Sequence, residues 1–457
     1  MKINGELIEK NASIIAVKIV KDHAIPEPNG QVTLNYLISD QGGQGDVYHV
    51  TYRGRDYAMK WYCKEDEDVI GGAQYRTIVT IHGEENKPCD KFIWPLIIVT
   101  EPDPKEGKRF GYLMDLIPQD YSEMEYFLWN DGTKKAVRFK SYNAVLHAAM
   151  DIVFAMRKLH LKGWSYKDLN PKNFAINPVT GHVLVVDNDN VSVDTSPCTV
   201  KGTMGYMAPE IPRSRYKKSP DRKTDYYSLA IILYRLFFVD HPMKGAAWEE
   251  VQYYETDEVE EYFYAFKPVF HFDPNNDSNR PTQYNAPHAL SRWYVYPQEL
   301  RALFTTALTE GIRNPEKRPP ENTWLNTLSK VKDRLIRLGG GREHFVNFND
   351  PETIPPGCLG MKVGMNMVAI YPQKGIYEIS ITGNVQNYEN LVAGIDYDKQ
   401  KGTLTIRNMT EKVWWCRSPK TKQDTCLKKG ESYPVSPGVQ IAFGPNMVGV
   451  IFEVKKR

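Results

Sequence analysis

The apolar residues of this chain change their period twice, and those changes limit its fold more than any single motif. Up to about Pro118 they come in short runs broken by Gly, Asp and Asn: VTLNYLI, DVYHVTY, RDYAMKWY, FIWPLIIV and FGYLMDLI. Such runs, with turns like Arg53-Gly54-Arg55 between them, read as strands, and residues 73–82 read as one helix among them. Over residues 143–161 the pattern becomes helical, because Leu146, Ala149, Met150, Val153, Met156 and Leu159 recur at three- and four-residue steps. Residues 226–238 and 300–308 read as further helices. After Phe345 the short runs return as MNMVAIY, IYEISI, GTLTIRN, KVWWC, VQIAFG and VGVIFEV. The order strands, helices, strands predicts an α+β chain. A small sheet lobe over 31–117 sits on a larger helical lobe over 118–336. A proline-marked linker over 337–356 leads to an all-β sandwich over 357–457, and residues 1–30 form an N-terminal extension.

Composition excludes several function classes. A net charge of +2 on 457 residues gives no basic footprint, and no basic run interleaves with aromatics, so nucleic acid is not an expected partner. The N-terminal stretch has charges breaking every apolar run and is not a secretory signal. SLAIILYRLFFV is short and contains Arg235, which reads as a core helix and not as a membrane span. Cys63, Cys89, Cys198, Cys358, Cys416 and Cys426 show no C-x-x-C spacing. They read as reduced thiols, with no zinc site, in a cytoplasmic protein.

The stretch DQGGQGDVY, residues 40–48, lies between two strand-like runs. Alone it reads as an ordinary Gly-rich hairpin in preference to a loop whose backbone N–H groups approach phosphate oxygens. YAMK, residues 57–60, follows one strand later. YKDLNPKN, residues 166–173, resembles the protein-kinase catalytic loop H-R-D-L-x-x-x-N. Asp187 follows a strand-like run, as the metal-binding Asp of D-F-G does. GTMGYMAPE, residues 202–210, resembles the family's A-P-E segment, and Asp225 and Arg318 fall where the family's later Asp and Arg stand. In that order, over roughly residues 31–336, the chain resembles the eukaryotic-type protein-kinase superfamily, with a two-lobed protein-kinase-like fold.

The resemblance implies a role for each landmark. Asp168 accepts or orients the proton of the acceptor hydroxyl, and Asn170 stands close to the γ-phosphate. Asn173 and Asp187 hold Mg²⁺, or Mn²⁺, through hard oxygen atoms. Lys60 and the backbone of Gly42, Gly43 and Gly45 hold the triphosphate of ATP. Val47 and Ala58 flank the adenine, Met114 is the gatekeeper, and Asp115 to Ile117 lead into the hinge. Asp120, Tyr121 and Glu123 remain alternatives for the ribose. Glu210 with Arg318 reads as a structural ion pair, Asp225 as a brace for the catalytic loop, and Thr203 as favouring Ser/Thr acceptors.

Several positions depart from the family. The helix residue that pairs with the lysine becomes neutral Gln74, and the second catalytic-loop lysine becomes Asn170. Tyr166 and Lys167 replace His and Arg, so little dependence on activation-segment phosphorylation is expected. D-F-G becomes Asp187-Asn188-Asp189. For Asp189 a simple turn is preferred over a second carboxylate near the metals. The C-terminal runs faintly resemble the second half of a forkhead-associated domain, with no binding residues carried over, and adjacent Trp414 and Trp415 should face opposite sides of a strand.

The expected protein is an active, bacterial-style Ser/Thr protein kinase. It uses Mg-ATP, recruits a protein substrate through its sandwich and works beside a partner phosphatase, away from membranes. The rival is a pseudokinase scaffold that binds nucleotide or protein without transfer. A small-molecule kinase is opposed by the A-P-E segment.

Overall fold

The computed structural model describes residues 2–3, 6–7, 13–20, 23–40, 45–63, 68–129, 136–194, 196, 202–251 and 256–454. Strands Ile14–Val20 (β1), His23–Ser39 (β2), Gly45–Tyr52 (β3), Arg55–Tyr62 (β4), Ile97–Thr100 (β5) and Phe110–Met114 (β6) close an antiparallel barrel in the order β1-β2-β3-β4-β6-β5. The sheet therefore begins at Ile14 and not near residue 31, because β1 pairs with both β2 and β5. Tyr48, Val50 and Tyr52 of β3 and Tyr57, Met59 and Trp61 of β4 alternate into one barrel core. Strand β4 is buried on its other face too, where Ala58, Lys60 and Tyr62 point away from that core. FIWPLIIV is strand only from Ile97, since Pro95 has no N–H for a ladder. Phe92 and Trp94 instead pack in the main core, and Trp94 Nε1 donates to Ile81 O.

Helix α1, Ala73–Ile81, lies against the barrel through Tyr75, Ile78 and Ile81. The helical body follows: α2, Tyr142–Leu161; the hairpin β7, Phe174–Ile176, with β8, Val183–Val185; then α3, Arg222–Phe238; α4, Gln298–Leu308; and α5, Glu321–Arg334. Ser141 caps α2 by accepting from Ala144 N, and Asp221 caps α3 by accepting from Thr224 N. The expected linker is partly ordered structure. Leu335–Arg337 pairs with Glu343–Phe345, Phe345 packs on the Tyr142 and Tyr296 rings, and Glu343 accepts from Tyr142 N.

The C-terminal region is two antiparallel sheets around a separate apolar core. Its strands are β9, Leu359–Val363; β10, Asn366–Ile370; β11, Gly375–Tyr377; β12, Leu391–Asp398; β13, Thr403–Asn408; β14, Trp414–Arg417; β15, Asp424–Leu427; β16, Ser432–Pro434; β17, Gln440–Gly444; and β18, Met447–Glu453. One sheet runs β10-β9-β18-β17-β14-β15 and the other β11-β12-β13-β16. Trp414 is buried in the core, whereas Trp415 is 54% exposed on the opposite face. IYEISI does not continue as a strand: Glu378–Thr382 forms a helical turn, α6. It docks on α5, where Ser380 Oγ donates to Asp333 Oδ1 at 2.6 Å, and that tertiary contact overrides the alternating pattern.

Candidate active site

Alternation along β4 sends Met59 and Trp61 into the barrel and turns Lys60 to the outer face. There the Lys60 ammonium donates to Asp187 Oδ1 at 2.6 Å and also to Asp189 Oδ2. Asp187 follows β8 with φ of 57°, a left-handed conformation that a non-glycine residue holds only under external constraint. The constraint is visible. Tyr166 Oη lies 2.6 Å from Val186 O and 2.7 Å from Asp187 O, and Asn188 Nδ2 donates to Ile93 O at 2.7 Å. Where the resembled D-F-G motif carries an aromatic ring, this chain carries an amide bonded to backbone.

The preference for Asp189 as a simple turn residue is overturned. It does sit in the one-turn helix Asn188–Asn190, but its side chain is 1% exposed. Its carboxylate accepts from Lys60 and, at 2.6 Å, from Tyr112 Oη. A buried carboxylate needs such partners, and here they lie on β4 and β6, far away in sequence. Gln74 on α1 donates to the backbone carbonyl of Asp189 at 3.1 Å and to Tyr62 Oη at 3.3 Å. Burial removes water from Lys60, but Asp189 and Asp187 outweigh that loss and hold its pKa above the usual value.

On the facing loop, Thr203 Oγ1 donates to Asp168 Oδ1 at 2.9 Å. Burial pushes the Asp168 carboxyl above its ordinary pKa, with hydrogen bonds from Thr203 and Asn170 opposing the shift. Asn170 is less a chemical group than a brace. Its Oδ1 accepts from Lys172 N at 3.0 Å, and its Nδ2 lies 3.3 Å from Asp168 O and 3.4 Å from Thr203 Oγ1. Asn173 completes this capping box, its Oδ1 accepting from Asn170 N at 2.8 Å and keeping a second lone pair for a cation.

The loop is held from behind by Asp225, which accepts from Tyr166 N at 2.6 Å and Lys167 N at 2.9 Å. Lys167 has φ of 71°, so these two bonds fix a strained turn. His160 of α2, which sequence reading missed, bonds Asp225 Oδ2 at 3.0 Å with one ring nitrogen and Glu321 with the other. The Lys167 ammonium donates to Val193 O at 3.2 Å and Ser196 O at 2.9 Å, tying the following segment to the loop. Arg318 donates to both oxygens of Glu210, at 2.8 and 2.7 Å.

The remaining expected residues scatter around this centre. Val47 pairs with Lys60 and Ala58 with Met114 across adjacent strands. Gly45 lies in β3, where an added Cβ would fall 2.4 Å from Trp61 O, so strand packing alone requires glycine there. Gly42 and Gly43 lie outside the described residues. Asp115 bonds Arg55 at 2.6 Å, Ile117 is exposed, and Asp120 accepts from Asn177 Nδ2 at 2.6 Å.

Away from the centre, His147, Asp151, His182 and Glu389 bring their donor atoms within 4.8 Å of one another. The Lys91 ammonium already lies 2.9 Å from Asp151 and 3.1 Å from Glu389, so the group reads as an ionic clasp with its cation in place.

A family model described as "Protein kinase domain" matches residues 41–323. The serine/threonine-protein kinase AtPK2/AtPK19 of Arabidopsis thaliana is 27% identical over 267 residues, 56% of this chain and 53% of that relative. A probable cAMP-dependent protein kinase catalytic subunit of Encephalitozoon cuniculi is 30% identical over 146 residues, 32% of this chain and 42% of the relative. The mouse cAMP-dependent protein kinase catalytic subunit PRKX is 34% identical over 143 residues, covering 29% and 37%. The chain thus spans about half or less of the length of these curated relatives.

Proposed function

This chain belongs to the protein kinase family, and from that membership we propose that it transfers the γ-phosphate of ATP to Ser and Thr hydroxyls of protein substrates. The barrel and the helical body then act as the two lobes. One geometry carries the reading: a buried lysine on β4 meets Asp187, while Asp168 is oriented by Thr203 on the facing loop. Lys60 holds the α- and β-phosphates, Ala58 and Met114 border the adenine, and Asp168 takes the hydroxyl proton. The raised pKa of Asp168 makes it a better proton acceptor than an exposed carboxylate. The half-exposed Asp187 carboxylate and the Asn173 amide oxygen are hard donors that fit Mg²⁺. When bound, Mg²⁺ neutralises charge on the phosphates.

Of the three departures that favour a scaffold without transfer, Asp189 pairs the lysine and Asn170 braces the loop. Gln74 holds the backbone carbonyl of Asp189. Because Lys167 bonds backbone carbonyls directly, activity is expected without activation-segment phosphorylation. Substrate recruitment by the sandwich, a partner phosphatase and a cytoplasmic location belong to the same proposal. No helix among the described residues is long and apolar enough to cross a membrane. Incubation with γ-labelled ATP, Mg²⁺ and a generic protein acceptor should yield phosphoserine and phosphothreonine. Label confined to tyrosine would contradict the acceptor assignment.

A further inference from the structure

We propose that Asp189 is the fixed counter-ion of Lys60, taking the place of the glutamate that helix α1 lacks. The inference rests on the phosphotransfer reading and makes Asp189 a positioning residue of that site. In kinases of this fold the strand lysine must be paired with a helix glutamate for transfer. Here the helix offers neutral Gln74, whose amide reaches the Asp189 carbonyl at 3.1 Å. The helix thus supports the loop that carries the counter-ion, and the counter-ion itself has moved two residues past the proposed metal ligand.

Two carboxylates contact Lys60, and their surroundings divide the work. The Asp187 side chain is 51% exposed and can turn to another cation. That of Asp189 is 1% exposed and held by Tyr112 Oη at 2.6 Å, so it stays with the lysine whatever Asp187 does. An ion pair this buried is strongly destabilised when one partner loses its charge. The loop around it is latched a second time by Asn188 to Ile93 O, a tie that does not involve α1. A shift of α1 would remove one bond to the backbone of this loop but would take no charge from the lysine.

The test uses the full chain in five forms: wild type, Asp189→Asn, Gln74→Glu, the double variant and Tyr112→Phe. Each is assayed for ATP affinity, kcat and kcat/KM, with thermal unfolding alongside. Asp189→Asn should lower kcat/KM for ATP about tenfold or more, and Gln74→Glu in that background should restore it to within about threefold of wild type. Gln74→Glu alone should gain nothing, since the lysine already has its partner. Tyr112→Phe, which loosens Asp189 but keeps its charge, should cost less than Asp189→Asn. The inference falls if Asp189→Asn matches wild type or if the double variant is no better than Asp189→Asn. If Asp189→Asn fails to fold, the double variant must restore both fold and activity, and its failure also overturns the idea. If wild type transfers no phosphate, the phosphotransfer reading fails. The counter-ion claim is then still decided by ATP affinity, which should weaken in Asp189→Asn and recover in the double variant.

Discussion

Arg318 shows how much one side chain can anchor. It is 3% exposed and donates to both Glu210 oxygens, to Gly311 O at 2.9 Å and to Lys223 O at 2.8 Å. Against the burial that would raise it, Arg318 holds the Glu210 carboxyl below its usual pKa. Arg318→Met should therefore cost about 3–5 kcal/mol in denaturant unfolding, because it takes the paired cation from the Glu210 carboxylate and a donor from Gly311 O at once. A cost under about 1 kcal/mol would mean that solvent replaces those bonds. Arg318 and Glu210 were legible because family spacing names them. Asp189 was not, since a carboxylate in Asn-Asp-Asn reads locally as a turn. Its partners lie 129 and 77 positions away, where no local pattern points.

At the scale of elements, three helices meet at one imidazole. His160 of α2 bonds Asp225 of α3 and Glu321 of α5, and Asp225 in turn holds the backbone at Tyr166 and Lys167. Burial alone would lower its pKa, but the two carboxylates win and raise it from 6.5 to about 9. A raised folded-state pKa means the charged imidazole stabilises the fold fully below about 6.5. That contribution fades as pH rises to about 9. Thermal midpoints should fall across this window in wild type and fall less in His160→Gln. Equal slopes would show that the imidazole is not charged in the fold.

Helices with a long apolar period, such as Tyr142–Leu161, could be read closely from sequence because burial repeats over several turns. Glu378–Thr382 could not, since five residues carry no distinguishable period and the deciding contact is with Asp333. The early start of the barrel at Ile14 was also hidden, because nothing in IIAVKIV shows that it pairs with β5.

In the whole molecule, the sandwich is built into the helical body. Lys374 reaches from the turn before β11 to donate to Lys332 O at 2.5 Å and Leu335 O at 2.7 Å, closing the end of α5. Tyr388 Oη donates to Asp151 of α2, and Glu389 meets Lys91 and His147 at 3.1 Å. Lys91 O in turn accepts from Val185 N at 2.7 Å, one strand residue from the loop that carries Asp187. Lys374→Met should lower overall stability by about 1–3 kcal/mol, because it takes the ammonium from Leu335 O and leaves Lys332 O with only its bond from Leu335 N. Unchanged unfolding of that variant would mean the junction is closed by the apolar contacts alone.

The proposed phosphoryl transfer rests on Asp168, in a cleft whose lysine is already paired. Its most direct measurement compares wild type with Asp168→Asn in Mg²⁺ and labelled ATP, with nucleotide affinity measured on both proteins. ATP affinity should be similar, and the transfer rate at least about a hundredfold lower in the variant. Equal, negligible transfer by two proteins that both bind ATP would contradict it and leave a nucleotide-binding scaffold.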